Sequence, residues 1–235
     1  MKLLVGAATN VFRSAFLIYA KNGFSAFARA NRQMRQTTPS SGAPRHRLPP
    51  EIWPRVAITM KELPLSKVYQ LLEPGPVVLL TTARKGRTNV MTMSWHMMVE
   101  FEPPLVACIV SSANHSFAAL RSTGECVIAV PALELAPKVV KVGNCSGRDL
   151  DKFMAFGLTP IPAARVAPPL VAECFANLEC KVADTSLVKR YNLFVFEVLK
   201  AWRDPAQKNP KTIHHQGYGK FIVDGETIKL KSRMR

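Results

Sequence analysis

Apolar and polar positions alternate with the two-residue period of β-strands along much of the chain beyond residue 60. The apolar run 76–83 and the alternating run 88–95 flank a Lys85-Gly86 turn, which predicts a β-hairpin. Alternation in the second strand places four residues on one face: Asn89, Met91, Met93 and Trp95. Thr92 and Ser94 fall on the opposite face.

Further apolar runs predict a protein made mainly of strands. Strands are expected at 105–110, 126–130, 176–184 and 192–202, with a closing hairpin of 220–223 and 227–230 turned at Asp224-Gly225. Short helices are expected at 65–72, 117–121, 135–142 and 150–156, and a proline-rich loop at 160–169. Many strands with few intervening helices indicate a mainly β fold, a closed or nearly closed antiparallel barrel. The chain has no G-x-G-x-x-G or Walker A motif, which argues against a Rossmann sheet.

Residues 1–59 differ in composition from the remainder. Residues 1–50 contain eight Lys/Arg and no Asp or Glu, and they end in the Pro- and Ser-rich run TTPSSGAPRHRLPP. This composition resembles a mitochondrial or plastid transit peptide, but Met60 would also open a compact domain if the start were assigned too early. A membrane-surface helix is the third alternative. We predict an expendable extension at 1–59 and a folded domain at 60–235.

The net charge of +16 is unevenly distributed. Residues 51–235 carry 24 of the 32 Lys/Arg and all 16 Asp/Glu, so half of the excess lies in the first 50 residues. A basic surface attracts anions such as nucleotides, but no nucleic-acid recognition motif accompanies the charge. No apolar run approaches the roughly 18 residues that span a bilayer. We therefore expect neither a nucleic-acid nor a membrane partner.

The five cysteines predict free thiols in a reducing compartment. Their number is odd and none forms a C-x-x-C pair: Cys108, Cys126, Cys145, Cys174 and Cys180. Cys145 is flanked by polar residues and is the one expected to be exposed. A cytoplasmic location follows, with the mitochondrion or plastid as the alternative if residues 1–59 are a transit peptide.

The run SSANHS, residues 111–116, joins a buried strand to a helix start. Ser116 is a suitable N-cap, and the N–H groups of a first helical turn attract phosphate. The hydroxyls of Ser111 and Ser112 can add hydrogen bonds, and His115 or Arg121 can add charge. The alternative is an ordinary strand-to-helix loop.

Two other segments are candidates for the same site. Trp95 offers a flat aromatic surface and an indole donor, although core packing explains a strand-end Trp equally well. In the run SGRDLDKF, Asp149 or Ser146 can cap a helix and Lys152 lies in its first turn. A cation there is unfavourable unless an anion lies close, so Lys152 is a candidate phosphate ligand or else part of a solvated helix face.

Taken together, these segments resemble the flavin reductase-like family of FMN-binding split barrels, and its flavoredoxin branch in particular. The resemblance covers about residues 63–230 and rests on the order of several motifs: PGPVVLLTT, NVMTxSW, FEPPLV, NHSFxxL, GECVI, SGRDxDKF, LFVFEV and HxxGYGKF. It implies a Greek-key-like split β-barrel. This chain departs from relatives at Met91, where a small hydroxyl residue is common, and at Tyr191-Asn192, where a His is common.

The resemblance also implies which residues bind FMN. Asn89 and Trp95 would lie against the flavin, the backbone from Met93 to His96 would meet the ring edge, and Ser116 with Lys152 would hold the phosphate. The full set of candidate cofactor-binding residues is Asn89, Met93, Ser94, Trp95, His96, Ser111, Ser112, Asn114, His115, Ser116, Lys152 and Tyr191.

The function implied is that of a flavoprotein oxidoreductase in which the cofactor performs the chemistry. NADH or NADPH would deliver hydride to FMN, and a protein acceptor or free flavin would take the electrons. An FMN electron carrier reduced by a protein partner is the alternative. The family implies a homodimer with the flavin near the subunit interface; Phe194 and Phe196 would serve either that interface or the core. No catalytic side chain and no metal site are expected.

Overall fold

The computed structural model of the protein describes residues 59–231 and 233. The predicted extension at 1–59 therefore lies almost wholly outside the described residues. No helix in the described part of the chain is both long and apolar enough to cross a membrane.

The described residues form twelve strands. They are β1 (Lys61–Leu63), β2 (Val78–Arg84), β3 (Arg87–Met93), β4 (His96–Phe101), β5 (Pro104–Ile109), β6 (Glu125–Val130), β7 (Pro160–Ile161), β8 (Leu170–Val171), β9 (Ala176–Asp184), β10 (Leu193–Arg203), β11 (Ile213–Gly217) and β12 (Lys220–Val223). The main sheet is antiparallel, in the order β3-β2-β6-β9-β10-β5-β4, with β1 also paired to β10.

The two outer strands of this order, β3 and β4, are consecutive in the chain. Met93 of β3 pairs with Val78 of β2, whereas His96 of β4 pairs with Cys108 of β5. Between them, the carbonyl of Trp95 accepts from the Ile109 N–H at 3.0 Å. The chain thus leaves one edge of the sheet and joins the other within two residues. The sheet curls into a barrel that is split between β3 and β4, so the predicted antiparallel barrel is confirmed.

Five short α-helices accompany the sheet: α1 (Tyr69–Leu72), α2 (His115–Thr123), α3 (Ala136–Gly143), α4 (Lys152–Phe156) and α5 (Val188–Tyr191). Short 3-10 turns at Leu65–Lys67 and Leu133–Leu135 precede α1 and α3. Helix α2 ends at Gly124, which adopts φ +67°, a left-handed conformation that favours glycine. The helix predicted at 117–121 is therefore present, with two more residues at each end.

Strand β2 is buried on both faces because a separate apolar layer packs against each face. Val78 and Leu80 point into the barrel core, together with Leu120 of α2. Leu79 points the other way, into a layer beneath α3 and α4 that includes Val139. Alternation along the strand therefore continues to Thr82, which shares the barrel face with Leu80.

The predicted strand 220–223 is present as β12, but its predicted partner strand at 227–230 is wrong. The structure pairs β11 with β12, and residues 224–231 form no strand. Asp224 does not form a turn; its carboxylate accepts from the hydroxyl and the N–H of Thr212, at 2.7 and 2.8 Å. The remaining Oδ1 lies against Nε2 of His214, whose Nδ1 faces the Gly75 carbonyl at 3.0 Å. These bonds attach the hairpin to the turn that precedes β2.

Burial of the thiols follows the sequence prediction. Cys108, Cys126, Cys174 and Cys180 are free and buried, and Cys145 is partly exposed. Burial raises the pKa of the Cys108, Cys126 and Cys174 thiols, so these groups are inert as nucleophiles at neutral pH. Nothing in their surroundings gives them a chemical role.

Candidate functional site

A buried hydrogen bond joins β3 to the first turn of α2. Nδ2 of Asn89 donates to Oγ of Ser116 at 2.8 Å, and the hydroxyl of Thr82 lies 3.5 Å from the same oxygen. Thr82 and Asn89 are directly opposite each other in β2 and β3, so they present one polar pair to the helix. Asn89 occupies only an acceptor position of the Ser116 oxygen, and Thr82 lies at the 3.5 Å limit of a hydrogen bond, so the Ser116 hydroxyl can donate to a ligand.

The loop before α4 closes over this pair. A Cβ atom added to Gly147 would lie 2.0 Å from Oδ1 of Asn89 and 3.1 Å from Cδ2 of His115. No other residue type fits at position 147 unless Asn89 moves. Three segments therefore meet in van der Waals contact: the end of the β2–β3 hairpin, the start of α2 and the 144–151 loop.

The start of α2 differs from the prediction by two residues. Asn114 is the N-cap, and Ser116 lies inside the first turn, where it is buried. The Asn114 side chain makes no capping hydrogen bond, so the first-turn N–H groups have no side-chain partner from that residue. Ser116 was expected as the cap because a cap position favours Ser, but packing against Asn89 draws it into the helix.

His115 is surrounded by cations. Burial lowers the pKa of its imidazole, and the positive charges of Arg148, Arg87, Lys152 and Arg84 lower it further. None of these four cations forms an ion pair in the described part of the chain, where the ion pairs are Lys200–Glu62 and His214–Asp224. The start of α2 is thus a region of uncompensated positive charge, which suits an anionic group.

Lys152 is the most buried of these cations, with only 5% of its surface exposed. Its Nζ donates to the Val142 carbonyl at 2.8 Å, and burial lowers the pKa of the ammonium, partly offset by the nearby Cys145. The cap of α4 is Asp151, whose Oδ1 accepts from the N–H groups of Phe153 and Met154. Asp149 and Ser146, the predicted caps, lie outside the helix because α4 begins two residues later than expected.

The residues predicted for the ring of the cofactor lie where β3 gives way to β4. Half of the Trp95 surface, 51%, is exposed, and Met93 is buried in the barrel core. Nε2 of His96 lies 2.7 Å from the Pro76 carbonyl oxygen. Because a carbonyl oxygen can only accept, Nε2 carries the ring proton and donates this hydrogen bond. Nδ1 of His96 is buried without a partner, and burial lowers the pKa of this imidazole. His96 is therefore a neutral side chain with a free acceptor, and Ser94 beside it is half-buried.

The region around Trp95 and His96 is the ring end of the site, and strand β5 connects it to the start of α2. Ile109 binds the Trp95 backbone, and the chain then continues through the exposed Ser111 and Ser112 to α2. The hydroxyl of Ser111 accepts from the Ala113 N–H at 3.2 Å, which shapes the loop. Tyr191 lies at the same end of the sheet, because the carbonyl of the following Asn192 accepts from the Val110 N–H at 3.0 Å. Half of Tyr191 is exposed, and the Arg190 guanidinium lies over its ring.

The structure thus brings Asn89, His115, Ser116 and Lys152 into one cluster, while Trp95, His96 and Tyr191 lie along the ends of β4, β5 and β10. The cluster includes five residues that were not predicted as site residues: Thr82, Arg84, Arg87, Gly147 and Arg148. The basic run ARKGR at the hairpin turn was a visible signal for two of them. Of the two residues that could add charge, His115 lies at the start of α2, whereas Arg121 lies in its last turn.

Comparison with known proteins identifies relatives over most of the described chain. Residues 71–221 match the flavin reductase like domain family. The uncharacterized protein YddH of Escherichia coli (strain K12) is 32% identical over 178 residues, covering 70% of this chain and 94% of that protein. An uncharacterized protein of Archaeoglobus fulgidus is 33% identical over 151 residues, covering 62% of this chain and 85% of that protein.

Solved structures share the fold. An FMN-binding domain of a flavin reductases-like enzyme from Shewanella baltica has a TM-score of 0.68 at 28% identity, covering 73% of this chain and 97% of that chain. Flavoredoxin of Desulfovibrio vulgaris (Miyazaki F) has a TM-score of 0.61 at 23% identity, covering 66% and 90%, and shows the fold alone. The resemblance predicted from the sequence motifs is confirmed. Because the family match spans well over half of the chain, this protein belongs to the flavin reductase like domain family.

Proposed function

We propose that this protein is an FMN-binding oxidoreductase that takes hydride from NADH or NADPH and passes electrons to a protein acceptor or free flavin. The observation that carries the proposal is the cluster at the start of α2. There, the Ser116 hydroxyl lies near two cations, Lys152 and Arg148, neither of which forms an ion pair within residues 59–231. A phosphate monoester fits that charge and those donors. Membership of the flavin reductase like domain family supports a flavin as the ligand, and similarity to the FMN-binding domain from Shewanella baltica supports FMN in particular.

Ser116, the first turn of α2 and Lys152 form the phosphate end of the site, where N–H and O–H groups would donate hydrogen bonds to the FMN phosphate. The Ser116 hydroxyl and the first-turn N–H groups of α2 would bind phosphate oxygens, and Lys152 would add its charge. Asn89 fixes the Ser116 hydroxyl at 2.8 Å, which orients its proton away from β3. Burial makes the Lys152 charge effective, because water screens it little.

At the ring end, Trp95 and His96 would contact the flavin. Trp95 presents an exposed indole face that can cover an aromatic ring. His96 offers its unpartnered Nδ1 as an acceptor to a ring N–H group. The bound flavin would accept and release the electrons, and the protein would position it and tune its potential.

We also propose a homodimer in which a second copy covers the outer face of β4, β5 and β10. Two cross-strand rows of apolar side chains lie there: Trp95, Ile109 and Leu193, then Met97, Ala107 and Val195. Met97 is 60% exposed, and Ile109, Leu193 and Val195 are half-buried. Trp95 belongs to both this face and the ring end, so the interface would lie beside the flavin. Phe194 and Phe196 are fully buried in the barrel, so they serve the core.

The reductase proposal is tested with the purified full chain. We expect bound or added FMN to lose its visible absorption band on anaerobic mixing with NADH or NADPH, at about 1–10³ s⁻¹, the range typical of enzymes. Binding of FMN without reduction by either nicotinamide would instead support the electron carrier reduced by a protein partner.

The phosphate assignment is tested separately by substitution. Ser116→Ala with Lys152→Ala should weaken FMN binding at least tenfold, since hydrogen bonds to charged groups contribute about 1.5–3 kcal/mol each. The matched control is Ser122→Ala with Lys141→Ala, which changes the same residue types at exposed helix positions. Unchanged FMN affinity in the first double variant would refute the assignment.

A further inference from the structure

Two arginines face each other at the tip of the β2–β3 hairpin. Arg84 and Arg87 are directly paired across the turn, which consists of Lys85 and Gly86, both in left-handed conformations. Like charges directly opposite in an antiparallel pair destabilise a hairpin. Both arginines are exposed, and neither forms an ion pair in the described part of the chain. The pairing therefore has an electrostatic cost that an anionic ligand would relieve.

The strand register places this pair beside the phosphate end of the site. Side chains two positions apart share a sheet face, so Arg84 lies on the face of Thr82, and Arg87 on the face of Asn89. Thr82 and Asn89 are the pair that contacts Ser116. Two residues along a strand span about 6.8 Å, so the arginine pair lies about 7 Å further toward the turn. Burial and the charge of Arg148 are the largest causes of the lowered pKa of the His115 imidazole, and the charges of Arg87 and Arg84 lower this pKa further.

The positive charge at this end exceeds what one phosphate needs. Arg148 and Lys152 accompany the Gly147 loop, and the arginine pair adds two further cations. A phosphate monoester carries a charge of about −1.5 to −2 at neutral pH. Lys152 and Arg148 match that charge, which leaves Arg84 and Arg87 uncompensated when FMN is bound.

We propose that Arg84 and Arg87 form a second phosphate subsite, which binds the additional phosphate of a dinucleotide at the same site. The inference rests on the proposed function, because the first subsite is the one that holds the FMN phosphate. Guanidinium groups bind phosphate oxygens in pairs through a planar fork of N–H donors, which suits arginine better than lysine here. The additional phosphate has two sources in flavin–nicotinamide chemistry. They are the second phosphate of FAD and the 2′-phosphate of NADPH.

The test compares the full chain with the double variant Arg84→Gln, Arg87→Gln. Binding of FMN and FAD is measured by flavin fluorescence, and binding of NAD⁺ and NADP⁺ by calorimetry. The matched control is Arg121→Gln with Arg165→Gln, which removes two exposed arginines elsewhere on the described surface. Because removing the pair also removes like-charge repulsion, the thermal midpoint of the apo variant should be unchanged or higher.

We expect the variant to bind FAD or NADP⁺ at least about tenfold more weakly, as the loss of charged hydrogen bonds implies, while FMN and NAD⁺ affinities change less than about threefold. Weakening of FAD assigns the subsite to the flavin dinucleotide, and weakening of NADP⁺ assigns it to the nicotinamide. An equal loss of FMN affinity would place both arginines in the first subsite and overturn the inference. Unchanged affinity for all four ligands would overturn it as well. Binding of FMN by the unaltered chain reports on the proposed function alone.

Discussion

Replacement of Gly147 by alanine is the most direct perturbation of the phosphate end. The new Cβ would lie 2.0 Å from Oδ1 and 2.6 Å from Cγ of Asn89, far inside van der Waals contact. Asn89 is buried and bound to Ser116 at 2.8 Å, so it cannot move without breaking that bond. Overpacking of this kind costs about 1–3 kcal/mol, and the lost hydrogen bond about 0.5–1.5 kcal/mol more.

Two measurements check this expectation. The free energy of unfolding, from urea denaturation, should fall by about 1.5–4.5 kcal/mol, the sum of the two costs. The FMN dissociation constant should rise about tenfold or more if the displaced Ser116 loses even 1.4 kcal/mol of binding free energy. Gly225→Ala is the control, because an added Cβ at Gly225 meets no atom within 4 Å.

A double-mutant cycle separates the clash from other effects. Asn89→Ala removes the two nearest atoms that the new methyl group meets and leaves only Cδ2 of His115 at 3.1 Å, so Gly147→Ala should cost less stability in that background than in the unaltered chain. FMN binding should stay weak in the double variant, because Ser116 has then lost the partner that orients it. Equal costs of Gly147→Ala in both backgrounds, or wild-type stability and affinity in the single variant, would refute this account of the site.

Three further changes have defined expectations. Glu179→Gln should lower the free energy of unfolding by about 1–3 kcal/mol. The buried Glu179 carboxylate accepts hydrogen bonds from the N–H groups of Ala164 and Arg165 and from the indole N–H of Trp202. In the variant, the NH₂ group of the amide would face one of these donors and leave it without an acceptor. Asp224→Asn should destabilise at neutral pH: burial alone would raise the pKa of this carboxyl, but hydrogen bonds from Thr212 and His214 lower it overall. This stabilisation is present above the usual Asp pKa of about 3.9 and is lost as pH falls through the lower folded value, so wild type and variant should converge in acid. His115→Asn should weaken FMN binding most at low pH. Burial and then the nearby cations lower the pKa of the apo imidazole, and a bound phosphate would raise that pKa again.

Each of these has its own check. Urea denaturation, with limited proteolysis of the 162–169 loop, measures the Glu179 effect; an unaltered midpoint and cleavage rate would contradict it. Denaturation at neutral pH and near pH 3 measures the Asp224 effect, and a gap of equal size at both pH values would exclude the carboxylate as its source. For His115, the ratio of variant to wild-type FMN dissociation constants is measured from about pH 5.5 to 8.5, around the usual His pKa of about 6.5. A ratio independent of pH would mean that no proton on His115 is linked to binding.

Strand prediction succeeded where the apolar pattern is local. Strand β9 has the predicted bounds, 176–184, and β10 begins and ends one residue later than predicted. The predicted hairpin at 76–95 is present, but its second strand ends at Met93, and β4 begins at His96 as a separate strand. Alternation along the sequence cannot show that the chain changes pairing partner from β2 to β5. Only the curl of the sheet reveals it.

Helix boundaries and caps were less predictable. Asp151 and not Asp149 caps α4, and Asn114 and not Ser116 caps α2. Asn, Asp and Ser have similar N-cap preferences, so neighbouring candidates differ little in free energy. Tertiary contacts decide among them. Ser116 is held inside α2 by its bond to Asn89, which is 27 residues away in the chain.

The order of apolar runs and motifs was enough to predict the antiparallel barrel, the family, and Asn89, Ser116 and Lys152 as site candidates, because alternation and motif order are properties of local runs. It did not determine which cations gather at the start of α2. Arg84 and Arg87 come from a hairpin turn, and Gly147 and Arg148 come from a loop about 60 residues further along the chain. Their proximity depends on the register of β2 with β3 and on a glycine that lets a loop touch Asn89. Coulomb interactions depend on distance in space, so the charge of this site exists only in the folded barrel.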